Sequence, residues 1–211
     1  CFLHYYITQR WVKFYYFIRR KYNLHNYAEK KIVITDFTRF RAESKYVCTA
    51  GLELETLSCI RPMPYLSKEY CMNFGIRPGS IIEGFFHDVR NDKPHMENHR
   101  YSSINKTGDS SEKLFSECLI KSSVKSLNEG FSTKVMPGEK HLTKEPKPQR
   151  SLFTLKIDPD VLKLRKSKYD GVEKISADFN DGVNEFSSVA ITDFYFYEAI
   201  LKSENFERIS N

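Results

Sequence analysis

Cysteine is scarce in this chain of 211 residues, and its spacing excludes two common small-protein architectures. No two cysteines form a Cys-x-x-Cys pair, and an odd number without such pairs argues against a disulfide framework and against a zinc ribbon. We therefore expect the cysteines to act as small apolar fillers in a protein of the reducing cytoplasm. The five are Cys1, Cys48, Cys59, Cys71 and Cys118.

Long apolar runs are also missing, which argues against a membrane-spanning segment. Such a helix needs roughly 20 consecutive apolar residues, and Arg10, Lys13 and Arg19 interrupt the most aromatic stretch, residues 1–29. This stretch also lacks the uninterrupted apolar core and the small-residue cleavage site of a signal peptide. We expect residues 1–29 to be an N-terminal extension outside the fold, with a basic helix lying on a membrane surface as the alternative.

The motifs of common catalytic sites are absent from the sequence as well. It has no Gly-x-Ser-x-Gly elbow, no phosphate-binding Walker loop, no dinucleotide fingerprint and no His-Glu-x-x-His zinc motif. None of the cysteines has a basic partner that spacing alone would reveal. These absences favour a non-enzymatic protein without a catalytic residue, a cofactor or a resident metal.

The formal charge of +6 is concentrated at the N-terminus. Residues 1–30 contain six basic residues and one acid, so they carry +5, and the rest of the chain carries +1. A protein that binds nucleic acid over a broad surface presents an extended field of positive charge. Any nucleic-acid contact of the folded part must therefore be a local patch.

What the sequence does contain, after its first thirty residues, is a series of short strand patterns. Val, Ile, Phe and Tyr alternate with polar residues or form short apolar runs, with turn-forming residues between them. Pro62 and Pro64 should end the third strand, because neither can donate to a ladder. Five strands without an intervening helix predict a small barrel or sandwich. They cover residues 30–37, 45–54, 57–64, 77–89 and 94–101.

The second part of the chain starts with a helix pattern and then returns to strands. Residues 114–127 place apolar side chains near helical spacing, and a basic, proline-containing connector follows. Strand patterns resume near residue 151 and lead to a C-terminal helix, for which Asp193 is the predicted N-cap. We predict two β-rich units, residues 30–110 and residues 111–203.

Several short motifs occur in an order that is typical of a known family. They are KIVITDFTRFR, KYVCTAGLELETLSCIRPMP, IRPGSIIEGFF and KPHMENHRY, followed later by SLFTLKI, SADFNDG and SVAITDFYFYEAIL. In this order they resemble the bacterial dual OB-containing domain family, although Asn98 stands where that family has an acid. The resemblance implies a mainly β fold of two OB-like small β-barrels, with a short connecting helix and a C-terminal helix. It also implies association with nucleic acid, beside a protein partner in a bacterial system.

In an OB barrel the first loop is a candidate nucleic-acid contact. Such barrels bind single strands across strands 2 and 3, flanked by the first loop and the loop between strands 4 and 5. Here the first loop interleaves cations with an aromatic ring, a combination that follows phosphates while stacking a base. The alternative is that Phe40 packs inward. We predict contacts to a single or displaced strand from Arg39, Phe40, Arg41, Lys45 and, at the end of strand 3, Arg61.

His95, Glu97 and His99 form a cluster that suggests a different chemistry. In an extended segment these alternate residues share one face, where two imidazoles and a carboxylate could hold a divalent metal. No second ligand set accompanies them, so we expect no metal and favour an ion pair between Glu97 and Arg61. Two alternatives to nucleic-acid binding stay open: a metal-dependent hydrolase or nuclease using His95 and Glu97, and a module that binds a small ligand or another protein.

Overall fold

Strand is the main secondary structure of this protein in a computed structural model, which describes residues 27–38, 44–89, 95–135, 148–169 and 171–202. The prediction of a mainly β fold is therefore confirmed. Most of the N-terminal extension and the middle of the first loop lie outside the described residues. The predictions made for those segments stay predictions.

The first half of the chain forms a closed barrel of five strands. The barrel order is β1-β3-β4-β7-β6, and β6 returns to pair with β1. Strands β4 and β7 pair in parallel, whereas the other neighbours in the ring are antiparallel. The short β2 and β5 pair with each other as a separate two-stranded sheet. The strands are β1 (Ala28–Phe37), β2 (Tyr46–Val47), β3 (Thr49–Glu53), β4 (Cys59–Met63), β5 (Leu66–Ser67), β6 (Ser80–Asp88) and β7 (Asn98–Asp109).

Apolar residues that alternate along the strands fill the barrel. Ile32 and Ile34 of β1 are fully buried in the barrel core, while Val33 between them packs in a different cluster on the opposite face. Full burial of one such side chain contributes about 1.5–3 kcal/mol. The core cluster consists of Ile32, Ile34, Phe37, Val47, Ile60, Leu66, Cys71, Ile76, Ile82 and Phe86.

A glycine is required where β3 pairs with β1. A Cβ atom on Gly51 would lie 2.4 Å from the carbonyl oxygen of Val33 and 3.0 Å from its carbonyl carbon. Both atoms belong to the backbone, which cannot move aside without opening the ladder. The glycine in the segment CTAG therefore lets the two strands approach each other closely.

The prediction that Pro62 ends the third strand is wrong. Strand β4 continues through Pro62 to Met63 and ends before Pro64. The ladder with β3 stops at Ile60, whereas the ladder with β7 runs on to Met63. Because the N–H of Arg61 donates to the β7 side, the nitrogen of Pro62 faces the side where β3 no longer pairs, and its missing N–H costs no ladder bond.

The second half contains a smaller, open arrangement of strands. Among the described residues after 111, the strands form one three-stranded antiparallel sheet, β10-β11-β12, and one parallel pair, β8-β9. These residues do not form a second closed ring. For this half, only the prediction of β structure is confirmed. The strands are β8 (Ser123–Val124), β9 (Thr154–Leu155), β10 (Lys163–Tyr169), β11 (Val172–Asn180) and β12 (Glu185–Ala190).

Four α-helices connect and cover the strands of the described segments. The first, α1 (Lys68–Asn73), lies between β5 and β6, so the prediction of five strands without an intervening helix is wrong. The predicted connecting helix is α2 (Glu112–Ser122), which begins with Ser111 accepting a hydrogen bond from the N–H of Leu114. It ends before the predicted residue 127, because residues 123–124 form β8. The predicted N-cap of the last helix is confirmed, because the carboxylate of Asp193 accepts from the N–H of Phe196 at 2.7 Å. In the described part of the chain, every helix is too short or too polar to cross a membrane. The helices are α1 (Lys68–Asn73), α2 (Glu112–Ser122), α3 (Leu127–Phe131) and α4 (Phe194–Lys202).

The two halves of the chain pack against each other. Cys118 of α2 is buried against Val33 and Leu52 on the outside of the barrel. The rings of Phe194 and Tyr195 of α4 pack at steep angles against that of Phe37, with centroids 6.2 and 5.6 Å away. Helices α2 and α4, which the sequence assigns to the second unit, therefore both pack against the barrel of the first unit.

The start of the fold and the state of the cysteines also follow from the structure. Strand β1 begins at Ala28, two residues before the predicted boundary, and the ring of Tyr27 lies 5.4 Å from that of His87. The four cysteines in the described segments are free thiols. Burial raises the pKa of the Cys71 thiol to about 11, so Cys71 stays protonated in the barrel core as an apolar filler.

Candidate functional site

The first loop is closed at its base by hydrogen bonds between its two ends. The N–H and the hydroxyl of Thr38 both donate to the carbonyl oxygen of Cys48, at 3.0 and 3.1 Å. Arg39, Phe40 and Arg41 lie between these ends and outside the described residues. Their predicted contact with nucleic acid therefore stays a prediction.

Lys45 and Tyr46 lie at the surface, at the C-terminal end of this loop. Lys45 is exposed, and its carbonyl oxygen accepts from the N–H of Lys68 at 2.8 Å. Tyr46 pairs with Ser67 in the β2-β5 ladder and leaves 57% of its surface exposed. Because the next residue, Val47, is buried in the barrel core, the ring of Tyr46 projects to the other side. An exposed cation and an exposed aromatic ring thus follow one another in the chain at this end of the barrel.

Arg61 does not share this exposure. Only 6% of its surface is accessible, its Nε donates to Oδ1 of Asn98 at 2.7 Å, and its guanidinium lies 5.7 Å from the ring centroid of Tyr65. The sequence placed Arg61 on the nucleic-acid surface because strand 3 of an OB barrel faces the ligand. In this chain the side chain is taken up by internal contacts instead.

The predicted ion pair between Glu97 and Arg61 is wrong. The carboxylate of Glu97, 5% exposed, accepts from the N–H of Ser151 at 2.6 Å, from its hydroxyl at 2.5 Å and from the N–H of Leu152 at 3.1 Å. Only the backbone joins the predicted partners, since the N–H of Arg61 donates to the carbonyl oxygen of Glu97 at 2.7 Å. Glu97 therefore connects the barrel to the second half of the chain.

The two histidines do not join Glu97 on one face of a strand, because residues 96–97 form a turn and β7 begins at Asn98. Nδ1 of His95 lies 3.2 Å from the hydroxyl oxygen of Ser151, and Nδ1 of His99 lies 3.0 Å from the carbonyl oxygen of Glu97. Partial burial and the nearby charge of Arg61 lower the pKa of His95. Across the described segments, no three His, Cys, Asp or Glu side chains converge as metal ligands.

The segment that reaches Glu97, residues 148–155, is called the strap here. The N–H of Gln149 donates to the carbonyl oxygen of Phe131, and Thr154 and Leu155 form β9 beside β8. The strap is therefore attached to α3 and β8 near its ends and to the barrel through Glu97 in its middle.

A cleft of about 730 Å³ separates the strap from the barrel. Its barrel side includes Leu52, Cys59 and Glu53, at the end of β3 that lies away from the first loop. Although burial opposes it, hydrogen bonds from Lys30 and Thr56 hold the pKa of Glu53 below its ordinary value. The opposite side is formed by strap residues and by the end of α2: Lys121, Ser122, Gln149, Arg150, Leu152, Phe153 and Thr154.

Strand β10 contains a second basic run, Lys163, Arg165, Lys166 and Lys168. The side chain of Arg165 donates to the carboxylate of Asp178, and Lys166 lies 3.0 Å from a carboxylate oxygen of Glu173. Two of the four cations therefore balance acids on the neighbouring strand β11.

Sequence reasoning missed the strap. Ser151 and Leu152 lie 54 and 55 positions from Glu97, and neither residue type signals a distant contact. Comparison with known proteins adds no further guide: no family model matches the chain, and neither a curated protein nor a solved structure matches it.

Proposed function

We propose that this protein is a non-enzymatic module that binds single-stranded or displaced nucleic acid at the first-loop end of an OB-like barrel. The observation that carries this proposal is the strand order of the barrel. Numbered along the chain, its five strands follow the order 1-2-3-5-4 and back to 1, and strands 3 and 5 are parallel. A closed five-stranded barrel with crossed connections is the architecture on which OB domains bind oligonucleotides.

The chemistry of the first loop supports the same proposal. Lys45 and Tyr46 are exposed beside the segment that contains Arg39, Phe40 and Arg41. Cations that contact phosphates and rings that stack bases are the two elements of sequence-tolerant single-strand binding. We leave Arg61 out of the contact surface because it is buried. The OB-like assignment is proposed for the first barrel alone, since the second half offers no closed ring among its described strands.

The folded part of the chain is nearly neutral, so the cations of the first loop set the expected salt dependence of binding. Three loop cations, Arg39, Arg41 and Lys45, neutralise up to three phosphates. For single strands the logarithm of the binding constant falls with the logarithm of salt concentration with a slope of about −0.7 per phosphate, so the loop accounts for a slope of about −2. Binding through this loop should therefore weaken about 16-fold between 50 and 200 mM salt.

The test is fluorescence anisotropy of labelled single-stranded DNA and RNA with the full chain at two salt concentrations. Replacing both loop arginines, Arg39→Ala with Arg41→Ala, should reduce the salt slope by about 1.4 and weaken binding at low salt. A matched variant, Lys113→Ala with Lys125→Ala, removes the same charge at two exposed positions away from the first loop and should leave the slope nearly unchanged. Equal losses in the two variants would show that total charge, and not the first loop, governs binding.

A further inference from the structure

We propose that the cleft between the barrel and the strap is a second contact site for the same nucleic-acid strand, in which Lys121 and Arg150 hold a phosphate. This inference rests on the proposed function and extends it to the opposite end of the barrel. It concerns the described residues that line the cleft and does not involve the first loop.

The position of the cleft is the first argument. In the barrel, β3 and β4 are strands 2 and 3, whose outer face is the binding face of an OB domain. Leu52 and Cys59, which are partners in the β3-β4 ladder, both line the cleft. Strand β3 runs from Thr49, next to the first loop, to Glu53 in the cleft. Four residue steps of about 3.3 Å place the two sites about 13 Å apart along this strand.

The size of the cleft is the second argument. Its volume of about 730 Å³ lies within the range of roughly 300–1,000 Å³ that small-molecule sites occupy. The half-buried Leu57 on the barrel side and Leu152 on the strap side both contribute to the lining, whereas Leu52 is buried against α2. The cleft can therefore take a nucleotide, with its base against the apolar wall.

The carboxylates that line the cleft determine how strongly it repels the phosphate of a nucleotide. The carboxylate of Glu97 is occupied by its three bonds from the strap, and that of Glu53 by Lys30 and Thr56. Asp88 is the remaining acid of the lining. The charge of Glu53 is balanced by Lys30, and that of Glu97 is spread over three hydrogen bonds, so both repel an incoming phosphate less than free carboxylates would.

Two cations of the lining, Lys121 and Arg150, have only weak contacts inside the protein. Lys121 has 65% of its side chain exposed and lies 3.7 Å from Glu117, an exposed pair of little strength. Nη2 of Arg150 donates a long hydrogen bond of 3.4 Å to the carbonyl oxygen of Glu129. Both side chains can turn to a phosphate, and Arg150 can bind one through two N–H groups at once.

Phe153 supplies an aromatic ring in the same cleft. Its ring meets that of Phe131 edge to face, with centroids 4.7 Å apart and an angle of 86° between the planes. Packing against Gly130 fixes the ring further, since a Cβ on that glycine would lie 2.3 Å from it. A ring held in place loses little freedom when a base stacks on it.

The test compares two lengths of labelled oligothymidylate, about 4 and about 16 nucleotides, which bracket the site sizes of OB folds. With the full chain, the long strand should bind at least tenfold more tightly than the short strand. The variant Lys121→Ala with Arg150→Ala should lose most of that gain and bind the short strand as before. The matched variant Lys113→Ala with Lys125→Ala removes two exposed lysines outside the cleft and should keep the gain.

The outcomes separate this inference from the function on which it rests. Salt-sensitive binding that is the same for both lengths, or a gain that survives Lys121→Ala with Arg150→Ala, overturns the cleft site and leaves the first loop in place. Absence of salt-sensitive binding to either strand overturns both proposals. A photo-cross-linking strand containing bromouracil adds a direct readout: it should label the peptide that contains Phe153, and labelling confined to the first loop counts against the cleft.

Discussion

The barrel and the sheet β10-β11-β12 are built from similar alternating sequences, yet only the barrel closes. Every barrel strand has two neighbours, whereas in the described residues β10 and β12 each have one. The barrel closes through the antiparallel pair β1-β6 and the parallel pair β4-β7. Both pairs join segments that are distant in sequence, and a local pattern does not encode them.

The two regions also differ in how completely they bury their cores. Ile32, Ile60 and Ile82 in the barrel have no accessible surface, while in the sheet Ile175 keeps 2% and Leu164 keeps 5%. The core of the sheet is small and depends on α4, because Tyr197 and Ile200 of that helix are part of it. Closure thus concentrates stability in the barrel, and the sheet relies on a helix and on its ties to other elements.

The largest expected effect is that of Ile82→Ala in the barrel core. Truncating a fully buried isoleucine costs about 4 kcal/mol, because the closed ring cannot collapse around the cavity. Ile175→Ala in β11 should cost about 2–3 kcal/mol, since strands with open edges relax more easily. Chemical denaturation followed by circular dichroism measures both. Val172→Ala, at an exposed position of β11, is the control and should change stability by less than about 0.5 kcal/mol.

Equal costs for Ile82→Ala and Ile175→Ala would break the comparison. They would mean that the sheet packs as rigidly as the barrel despite its open edges. A change in the denaturant slope as well as in the midpoint would mean that one region unfolds separately.

Local patterns predicted most of the barrel's strands because short apolar, β-branched runs stand between turn-forming residues. The run Ile32–Ile34, buried on both faces of β1, is visible in the sequence, and so are the turns that follow. The end of β4 was misplaced at Pro62 because the loss of an N–H matters only where a neighbour needs it, and β3 had already stopped pairing there. Which strands pair across the ring is not visible in the local pattern, because β1-β6 and β4-β7 join residues distant in sequence.

The candidate site was less predictable than the fold. The sequence predicts a structural role for Glu97 with an arginine as its partner, because a carboxylate suggests a partner of opposite charge. The structure satisfies it with two backbone N–H groups and a hydroxyl from the strap. Backbone donors exist at nearly every residue, so no residue type could have identified Ser151 and Leu152 in advance.

Glu97→Ala is the next change in order of size, and it tests whether the barrel and the second half are coupled. Removing an acceptor of three hydrogen bonds leaves two N–H groups of the strap unpaired and should cost about 2–3 kcal/mol. Hydrogen exchange should speed up at the amides of Ser151 and Leu152. The control is Glu53→Gln. It alters a buried acid of the same cleft whose hydrogen bonds come from Lys30 and Thr56 and not from the strap.

Two outcomes would weaken this view of Glu97. Unchanged exchange at Ser151 and Leu152 would mean that α3 and β8 alone hold the strap. Acceleration throughout the barrel core would mean that Glu97 supports the fold as a whole and is no local tie.

Asp181 ties the sheet to α3 and should show a smaller effect that depends on pH. Its carboxylate accepts from the N–H groups of Leu127, Val183 and Asn184, at 2.7 to 2.9 Å. Although partial burial opposes it, these donors hold the pKa of Asp181 below its ordinary value. The stability from this carboxylate is therefore complete above the unfolded pKa of 3.8 and is lost as the pH falls through the lower folded pKa.

The corresponding variant is Asp181→Asn, which keeps the shape and removes the charge. At pH 7 it should lower the free energy of unfolding by about 1–2 kcal/mol, and the difference from the parent should shrink below pH 4. Thermal unfolding at a series of pH values measures this difference. A difference that is constant from pH 7 to pH 2 would assign the effect to altered hydrogen-bond geometry and not to ionisation.

The smallest expected effect is that of the ion pair between Lys166 and Glu173 on the sheet. Both side chains are substantially exposed, at 37% and 44%, so a double-mutant cycle with Lys166→Ala and Glu173→Ala should give a coupling of about 0.5 kcal/mol or less. A coupling well above 1 kcal/mol would show that charge, and not the helix α4, stabilises this region. The cations of β10 act instead on association, because lysines on an open edge strand discourage pairing with another copy. Replacing Lys166 and Lys168 together with threonine should therefore change the midpoint of unfolding little and promote concentration-dependent association, which light scattering detects.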